Sequence, residues 1–360
     1  MEGAILELAH RAHQLNFTQR SLNEAEFDRL TADPRIEFRA ISASDLFGSY
    51  GITGFYALDT GSHILVQFVF SCRLLNMGIE QFLYQLLGRR AVDSGDPGKV
   101  AKLIGATPVD WIAEDSGTDV PTAQGPNVDA VKVLFIGGCD IETMSTYISA
   151  DRQIDPTWHL ADTVDGVSCY AHSSLLVLDA MRAGYDTYLD GVPWLSNWRP
   201  PAPLDAFDVV VLSLWVDYQT AYFRRRGTGL RIPSSPQADP DVQIDLPGYE
   251  AADRLTPAEI AGLVVSLRQT LPETCRLVVL NGAEVQPDVC AMNASDQHER
   301  NCAINREVDQ LAGIGVVDLV DVRHVVVDRT HLADDGLLTH YSRPAYARLA
   351  ALVRRAVHGG

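Results

Sequence analysis

A thiol at the end of an apolar segment is the first residue of this sequence that could do chemistry. Residues 131–136 read VKVLFI, the composition of a strand covered on both faces, and Gly137-Gly138 permits a sharp turn after it. Cys139 then stands where the strand ends, at the edge of an open α/β sheet where ligands usually bind. An activated Cys139 predicts an acyl-transfer enzyme, whereas a packed small cysteine carries no chemistry, and both interpretations stay open here.

A base and an acid for this thiol are found near the end of the sequence. His340 precedes the predicted closing helix, a position that faces the tip of the first strand. Asp335 or Asp334 is a candidate for orienting its imidazole. The backbone N–H of Asp140 is a candidate oxyanion donor. Asp217, after a second apolar strand, is interpreted either as an acid of the site or as an ordinary helix N-cap.

The cysteines and histidines predict no metal site. The six cysteines contain no CxxC pair and no zinc-finger spacing. None of the other histidines in this half is placed one helical turn from another histidine or cysteine on a predicted helix. These other histidines are His159, His172, His298, His324 and His331.

The elements that must position these residues alternate between strand and helix after residue 129, which favours a parallel sheet with helices on both faces. The predicted strands are 131–136, 186–189, 207–214, 277–280 and 315–319, and the predicted helices are 173–183, 256–269, 299–311 and 344–357. Residues 224–255 are rich in Pro, Asp and Gly, so an inserted loop or lid is expected there.

A smaller α+β unit is predicted at residues 1–112, followed by a polar linker at 113–128 and the larger unit at 129–360. Its predicted helices are 2–15, one that begins after Ser21 in a capping box with Glu24, and 78–87. Its predicted strands are 36–41, 51–58 and 63–70, the last two joined by a turn at 59–62.

Charge and composition exclude some function classes. The formal net charge of −18 argues against nucleic-acid binding, which relies on clustered Lys and Arg. No apolar run reaches the ~20 residues that span a bilayer, and the first residues lack the features of a signal peptide. Scattered cysteines without an export signal favour a reducing compartment. We therefore expect a cytoplasmic protein that binds neither nucleic acid nor membrane.

The second unit resembles the SGNH/GDSL hydrolases, α/β enzymes of ester and acyl transfer, in the order of its elements and in short blocks. In that family a strand ends in Gly-Asp-Ser, with serine as nucleophile, and Ile136-Gly137-Gly138-Cys139 stands in that place. Asp165-Gly166-Val167-Ser168 resembles the block whose glycine N–H lines the oxyanion hole. The resemblance implies a three-layer, flavodoxin-like parallel sheet with Cys139 as nucleophile and Gly166 as an oxyanion donor.

Four positions depart from the SGNH pattern. Cysteine replaces serine, Gly138 replaces the aspartate before it, and Val216 occupies the place of the oxyanion-hole asparagine. Asp335 lies five residues before His340, where the family has an acid three residues before its histidine. Asn197 and Asn281 are candidates to supply the missing amide.

The first unit resembles the C-terminal region of FkbH-like proteins, bacterial secondary-metabolism enzymes that load a glyceryl unit onto an acyl carrier protein. The matching blocks are residues 13–20, 45–51 and 70–80. That region is similar to an N-acetyltransferase fold, but the family's phosphatase-like domain has no counterpart here, so glyceryl loading is not implied. Residues 73–78 are a degenerate form of a coenzyme A turn, and no cofactor is predicted.

Two functions of different classes follow. The first is an acyltransferase or thioester hydrolase of natural-product (antibiotic) biosynthesis, which acts on a carrier-protein-bound acyl group through an acyl-enzyme at Cys139, with water or a small molecule as acceptor. The second is a non-catalytic scaffold that binds a carrier protein through degenerate enzyme folds. Because carrier proteins are usually acidic, such docking on this acidic chain would need a basic patch such as Arg224–Arg226.

Overall fold

The computed structural model divides the chain into two compact units, Met1–Gln124 and Gly125–Gly360. The residues it describes are 2–12, 15–20, 22–45, 48–71, 74, 77–105, 109–115, 126–149, 151–159, 162–164, 167–169, 203–215, 217, 221–227, 231–234, 248–286, 294–333 and 338–359. Among these, none of the helices combines the length and apolarity that crossing a bilayer requires.

The first unit is an α+β domain with a four-stranded sheet in the order β1-β2-β3-β4. Its strands are β1 (Ile36–Asp45), β2 (Gly48–Asp59), β3 (Ile64–Phe70) and β4 (Ala91–Val92), and its helices are α1 (Glu2–Arg11), α2 (Glu24–Ala32), α3 (Ile79–Leu86) and α4 (Pro97–Ile104). The first three strands form an antiparallel meander, and β4 runs parallel to β3. Apolar side chains of the sheet form two clusters, one with α1 and α2 and one with α3 and α4.

Local sequence explains the start of α2 and the turn between β2 and β3. The predicted capping box at Ser21 is wrong, because α2 begins at Glu24 and Asn23 is the N-cap that accepts a hydrogen bond from Glu26 N. The predicted turn is confirmed, since the Asp59 carboxylate accepts hydrogen bonds from the backbone N–H groups of Gly61 and Ser62 at 2.8 and 3.1 Å.

The second unit contains a five-stranded parallel sheet in the order β6-β5-β9-β13-β14. Its strands are β5 (Val131–Ile136), β6 (Ile154–His159), β9 (Val209–Ser213), β13 (Arg276–Leu280) and β14 (Asp318–Val320). Counted along the chain, this is the flavodoxin-like order, in which the second strand lies outside the first and the third lies on its other side. The predicted fold class is confirmed.

Helices cover both faces of this sheet, which gives three layers. In the described part of this unit the helices are α5 (Cys139–Ile148), α6 (Pro257–Thr270), α7 (Ala294–Gly313) and α8 (Arg343–His358). Apolar residues of α6 and α7 pack against one face, and those of α5 and α8 pack against the other. Thr256 caps α6 in a capping box with Glu259, so the predicted start of this helix is confirmed.

The region predicted as one inserted loop contains strands. The small strands outside the main sheet are β7 (Asp162–Val164), β8 (Val167–Cys169), β10 (Ala221–Arg225), β11 (Arg231–Ser234) and β12 (Tyr249–Ala252). An antiparallel sheet in the order β11-β10-β12 therefore occupies part of the expected loop at 224–255, of which residues 228–230 and 235–247 lie outside the described residues. Short strands joined through Gly- and Pro-containing segments leave a loop-like composition, which explains the error. The predicted helix at 173–183 and strand at 186–189 lie outside the described residues.

Candidate active site

The candidate site lies where the chain changes direction across the parallel sheet. From β5 the chain passes to β6 on one side, and later returns to form β9 on the other side of β5. Ile136 pairs with Leu212, so the residues that follow β5 and β9 leave the same edge of the sheet side by side. In open α/β sheets this switch point, at the carboxyl ends of the strands, is where ligands bind.

Two glycines allow the turn after β5 to pack tightly against the end of β9. A Cβ on Gly137 would lie 3.0 Å from Ser213 Cβ and would overlap Ile141. A Cβ on Gly138 would lie 2.6 Å from Trp215 Cε2. Glycine is required at both positions because of these close approaches, and α5 can then begin at Cys139 with Gly138 as its N-cap.

Asp140 is the buried acid of this turn. It is 4% exposed and accepts hydrogen bonds from Ser213 Oγ at 2.5 Å and from Trp215 Nε1 at 2.6 Å. Burial raises the pKa of the Asp140 carboxyl, while these two donors, the Ile141 N–H and the charge of His340 act in the opposite direction. His340 is therefore near enough to Asp140 to affect its ionisation.

His340 is held in a buried segment just before α8. The side chain is 4% exposed, and the His340 carbonyl accepts a hydrogen bond from Ala333 N at 2.9 Å. Arg343, at the start of α8, donates from Nε to the Tyr147 hydroxyl on α5 at 3.3 Å. This contact fixes the His340 segment beside the helix that Cys139 begins.

Two other residues from the sequence prediction lie at the same edge of the sheet. Asn281 follows β13 and is engaged on both sides of its amide, donating to Asp321 Oδ1 at 2.9 Å and accepting from Val322 N at 2.7 Å. It thereby links the ends of β13 and β14. Asp217 follows β9 and is fully buried, and its carbonyl accepts a hydrogen bond from Tyr222.

The remaining predicted residues can be located only in part. Cys139 is the first residue of α5, and Asp140 is the second. Asp335 and its alternative Asp334, together with Gly166 and Asn197, lie outside the described residues. The roles predicted for all of these residues stay predictions.

Comparison with known proteins gives distant structural similarities. No family model matches this sequence, and no curated protein matches it. A protein of Bacteroides fragilis described as an acylhydrolase has a TM-score of 0.39 and 12% identity over 66% of this chain and 91% of its own. A GDSL-like lipase of Bacteroides thetaiotaomicron has a TM-score of 0.37 and 10% identity over 66% of this chain and 92% of its own. The fold assignment therefore rests on the strand order.

Sequence reasoning missed the side chains that hold Asp140. Only the backbone N–H of Asp140 was assigned a role, and Ser213 was not identified. The sequence offered only a weak indication of these contacts. An acid, Asp140, directly follows Cys139, and a serine, Ser213, ends the apolar run 209–212. Their contact depends on β5 and β9 being neighbours, which spacing along the chain does not reveal.

The prediction that no histidine lies one helical turn from a cysteine is wrong. The predicted helix began at Glu299, but α7 begins at Ala294 and therefore includes His298. Cys302 Sγ lies 3.6 Å from His298 Nε2, four residues apart on this helix. Within the described ranges, no group of three or more His, Cys, Asp or Glu side chains is arranged to hold a metal.

Proposed function

We propose that the second unit is an acyl-transfer enzyme, a hydrolase or acyltransferase of esters or thioesters, with Cys139 as nucleophile and His340 as base. The observation that carries the proposal is the start of α5 at the switch point of the sheet, with Cys139 first and Asp140 within the electrostatic reach of His340. A helix N-terminus favours negative charge, which lowers the pKa of a thiol placed there.

The reaction proceeds through an acyl-enzyme. His340 takes the proton of the Cys139 thiol, and the thiolate attacks the carbonyl carbon of the substrate. The negative charge on the carbonyl oxygen is stabilised by backbone N–H groups at the start of α5, of which that of Asp140 is the candidate. The intermediate collapses, the C–O or C–S bond to the leaving group breaks, and protonated His340 returns its proton to that group. Water or a second acceptor then releases the acyl group by the same steps.

Asp140 has a supporting role in this scheme. An ionised carboxylate near His340 stabilises the imidazolium that forms during proton transfer. Ser213 and Trp215 hold the carboxylate by two short hydrogen bonds, so its position is fixed before substrate binds. Asp335, predicted for this role from the sequence, is an alternative acid.

The proposed substrate is an acyl thioester on a carrier protein. A cysteine nucleophile suits this substrate because exchange between two thiols is nearly isoenergetic and leaves a reactive thioester. The carrier protein as partner and bacterial natural-product biosynthesis as the setting are proposed from the resemblance of residues 13–20, 45–51 and 70–80 to FkbH-like proteins, which no family model bears out.

Intact-protein mass spectrometry tests the function. The full chain is incubated with acyl-pantetheine and acyl-carrier-protein thioesters, quenched with acid and weighed. We expect one acyl adduct on the wild type, none on Cys139→Ala, and accumulation slowed by roughly 10²- to 10⁴-fold in His340→Gln. Cys275→Ala, which alters a buried thiol far along the sequence, serves as the matched control and should be acylated normally.

Equal acylation and turnover of the wild type and Cys139→Ala would contradict the proposed nucleophile. Binding of the carrier protein without an adduct or turnover on any thioester would instead support the scaffold function. Circular dichroism of each variant distinguishes loss of chemistry from loss of fold.

A further inference from the structure

The side chains around His298 form a second cluster with metal-binding chemistry, which the proposed acyl transfer does not use. His298 and Cys302 lie one turn apart on α7, and Gln286 lies in the loop after β13. His298 Nε2 is 3.6 Å from Cys302 Sγ and 3.3 Å from Gln286 Nε2. His298 and Cys302 are partly exposed and Gln286 is exposed, so an ion in solution can reach them.

The imidazole of His298 is oriented as in a metal ligand. Its Nδ1 is 3.1 Å from the Val285 carbonyl oxygen, which can only accept a hydrogen bond. Nδ1 therefore carries the ring proton, and Nε2 presents its lone pair toward Cys302. Histidines that bind metals commonly donate their second ring N–H to a backbone carbonyl in this way.

The spacing of the donor atoms fits a tetrahedral ion. With ordinary zinc bond lengths, a thiolate sulfur and an imidazole nitrogen on one tetrahedral ion are about 3.6 Å apart, and a nitrogen and an oxygen are about 3.4 Å apart. The first value matches the distance from Cys302 Sγ to His298 Nε2. In this structure Gln286 Nε2 donates a hydrogen bond to His298 Nε2 at 3.3 Å. A half-turn of the amide when the ion binds would exchange its nitrogen and oxygen, so that Oε1 faces the ion.

The two segments that carry these donors are fixed to each other. Asn305 exchanges two hydrogen bonds with the backbone of Gly282, at 2.7 and 2.9 Å, and Asn301 Nδ2 donates to the Ala283 carbonyl at 2.7 Å. These bonds hold α7 against the segment that follows β13.

We propose that Cys302, His298 and Gln286 bind a thiophilic divalent cation of the Zn²⁺ class, with water as the fourth ligand. The thiolate and imidazole select such an ion over Mg²⁺ or Ca²⁺, which prefer oxygen ligands. The thiol proton of Cys302 is released to solvent when the sulfur binds the ion. The ion connects α7 to the loop after β13 and stabilises that edge of the sheet.

Titration with Cd²⁺ tests this site, because a cadmium–thiolate bond absorbs in the ultraviolet. The full chain, reduced and freed of metal, should bind one equivalent of Cd²⁺, which Zn²⁺ then displaces. The absorption should be lost in Cys302→Ser, and the affinity should fall roughly 10- to 100-fold in His298→Gln. Zn²⁺ should also raise the melting temperature of the wild type but not that of Cys302→Ser.

Two controls separate this site from other thiols and from the proposed enzyme. Cys275→Ala and Cys139→Ala should both bind Cd²⁺ like the wild type, so a failure of the acyl-transfer proposal leaves this one standing. Full absorption in Cys302→Ser, or none in the wild type at millimolar Cd²⁺, would overturn the site and leave an ordinary S–H···N hydrogen bond. Circular dichroism checks that Cys302→Ser and His298→Gln are folded, and Cys302→Ala provides a second test if the serine variant is not.

Discussion

Trp215 Nε1 donates a hydrogen bond of 2.6 Å to Asp140 Oδ1, and this bond joins the end of β9 to the first turn of α5. Burial raises the pKa of Asp140, and the Trp215 donor partly offsets this effect by stabilising the ionised carboxylate. The ionisation of Asp140, which follows the candidate nucleophile Cys139, therefore depends on Trp215 at the end of a different strand.

Trp215→Phe should weaken the fold more at high pH than at low pH. The phenyl ring retains most of the packing but removes the donor, and hydrogen bonds to charged groups contribute about 1.5–3 kcal/mol. Loss of the donor raises the pKa of Asp140 further, so the deficit in the free energy of unfolding grows as the carboxyl ionises with rising pH. Urea unfolding of the wild type and Trp215→Phe at pH 5 and pH 8 measures this deficit in the free energy of unfolding.

Trp111→Phe is the matched control, because Trp111 Nε1 donates to the uncharged Met77 carbonyl. Its deficit should be the same at both pH values. An equal pH dependence in both variants would contradict the proposed control of Asp140 by Trp215.

Gly138→Ala should destabilise the second unit by about 1–3 kcal/mol, since the added methyl group overlaps the Trp215 indole. The control is Gly262→Ala in the middle of α6, where a Cβ meets no atom within 4 Å. That substitution should instead stabilise the fold by roughly 0.5–1 kcal/mol, because alanine is favoured over glycine in helices. Urea midpoints of the two variants should move in opposite directions, and a stabilised Gly138→Ala would contradict the close approach.

Glu80 on α3 should make the first unit less stable as the pH rises. Its side chain is buried, its Oε2 has no hydrogen-bond partner among the described residues, and burial raises its pKa from 4.5 to about 7. The folded state therefore holds the proton more tightly than the unfolded state, and stability is lost between these two pKa values.

Glu80→Gln removes this titration. Relative to the wild type, its free energy of unfolding should rise by about 3 kcal/mol between pH 4.5 and pH 8. A flat difference for Glu80→Gln across this range would mean that the carboxyl is not held in its neutral form.

Arg323→Lys should destabilise the loop after β14 by about 1–3 kcal/mol. The guanidinium donates two hydrogen bonds to Asp321 and two to Asp309, at 2.6–3.0 Å, and lysine cannot reproduce this paired geometry. Arg39→Lys, at an exposed pair with Glu37, should change stability by less than about 0.5 kcal/mol. Thermal melting of the two variants measures the contrast, and equal melting temperatures would exclude a structural role for the Arg323 contacts.

Strong local patterns allowed much of the fold to be predicted. The apolar run 131–136 predicted β5 with its first and last residues correct, and Thr256 with Pro257 predicted the start of α6. The alternation of such elements predicted the parallel sheet. Helix α7 was placed too late because its first turn is polar, and β10 to β12 were missed because their segments resemble loops in composition.

The candidate site was predicted less completely because its contacts join distant parts of the chain. Cys139 and His340 could be chosen from their positions beside predicted elements. The contacts of Asp140 with Ser213 and Trp215 could not be predicted, because they require β9 to pair with β5 on the side opposite β6. The Cys302–His298 contact was local, and a correct start for α7 would have revealed it.

The strand order of the two sheets also has a consequence for biosynthesis. In the first unit β1, β2 and β3 pair with their immediate neighbours through short connections, so each strand meets its partner soon after leaving the ribosome. In the second unit β9 lies between β5 and β13, both distant along the chain, and closing such long loops slows folding. We therefore expect the first unit to fold during translation, while the parallel sheet assembles only after β13 has been synthesised.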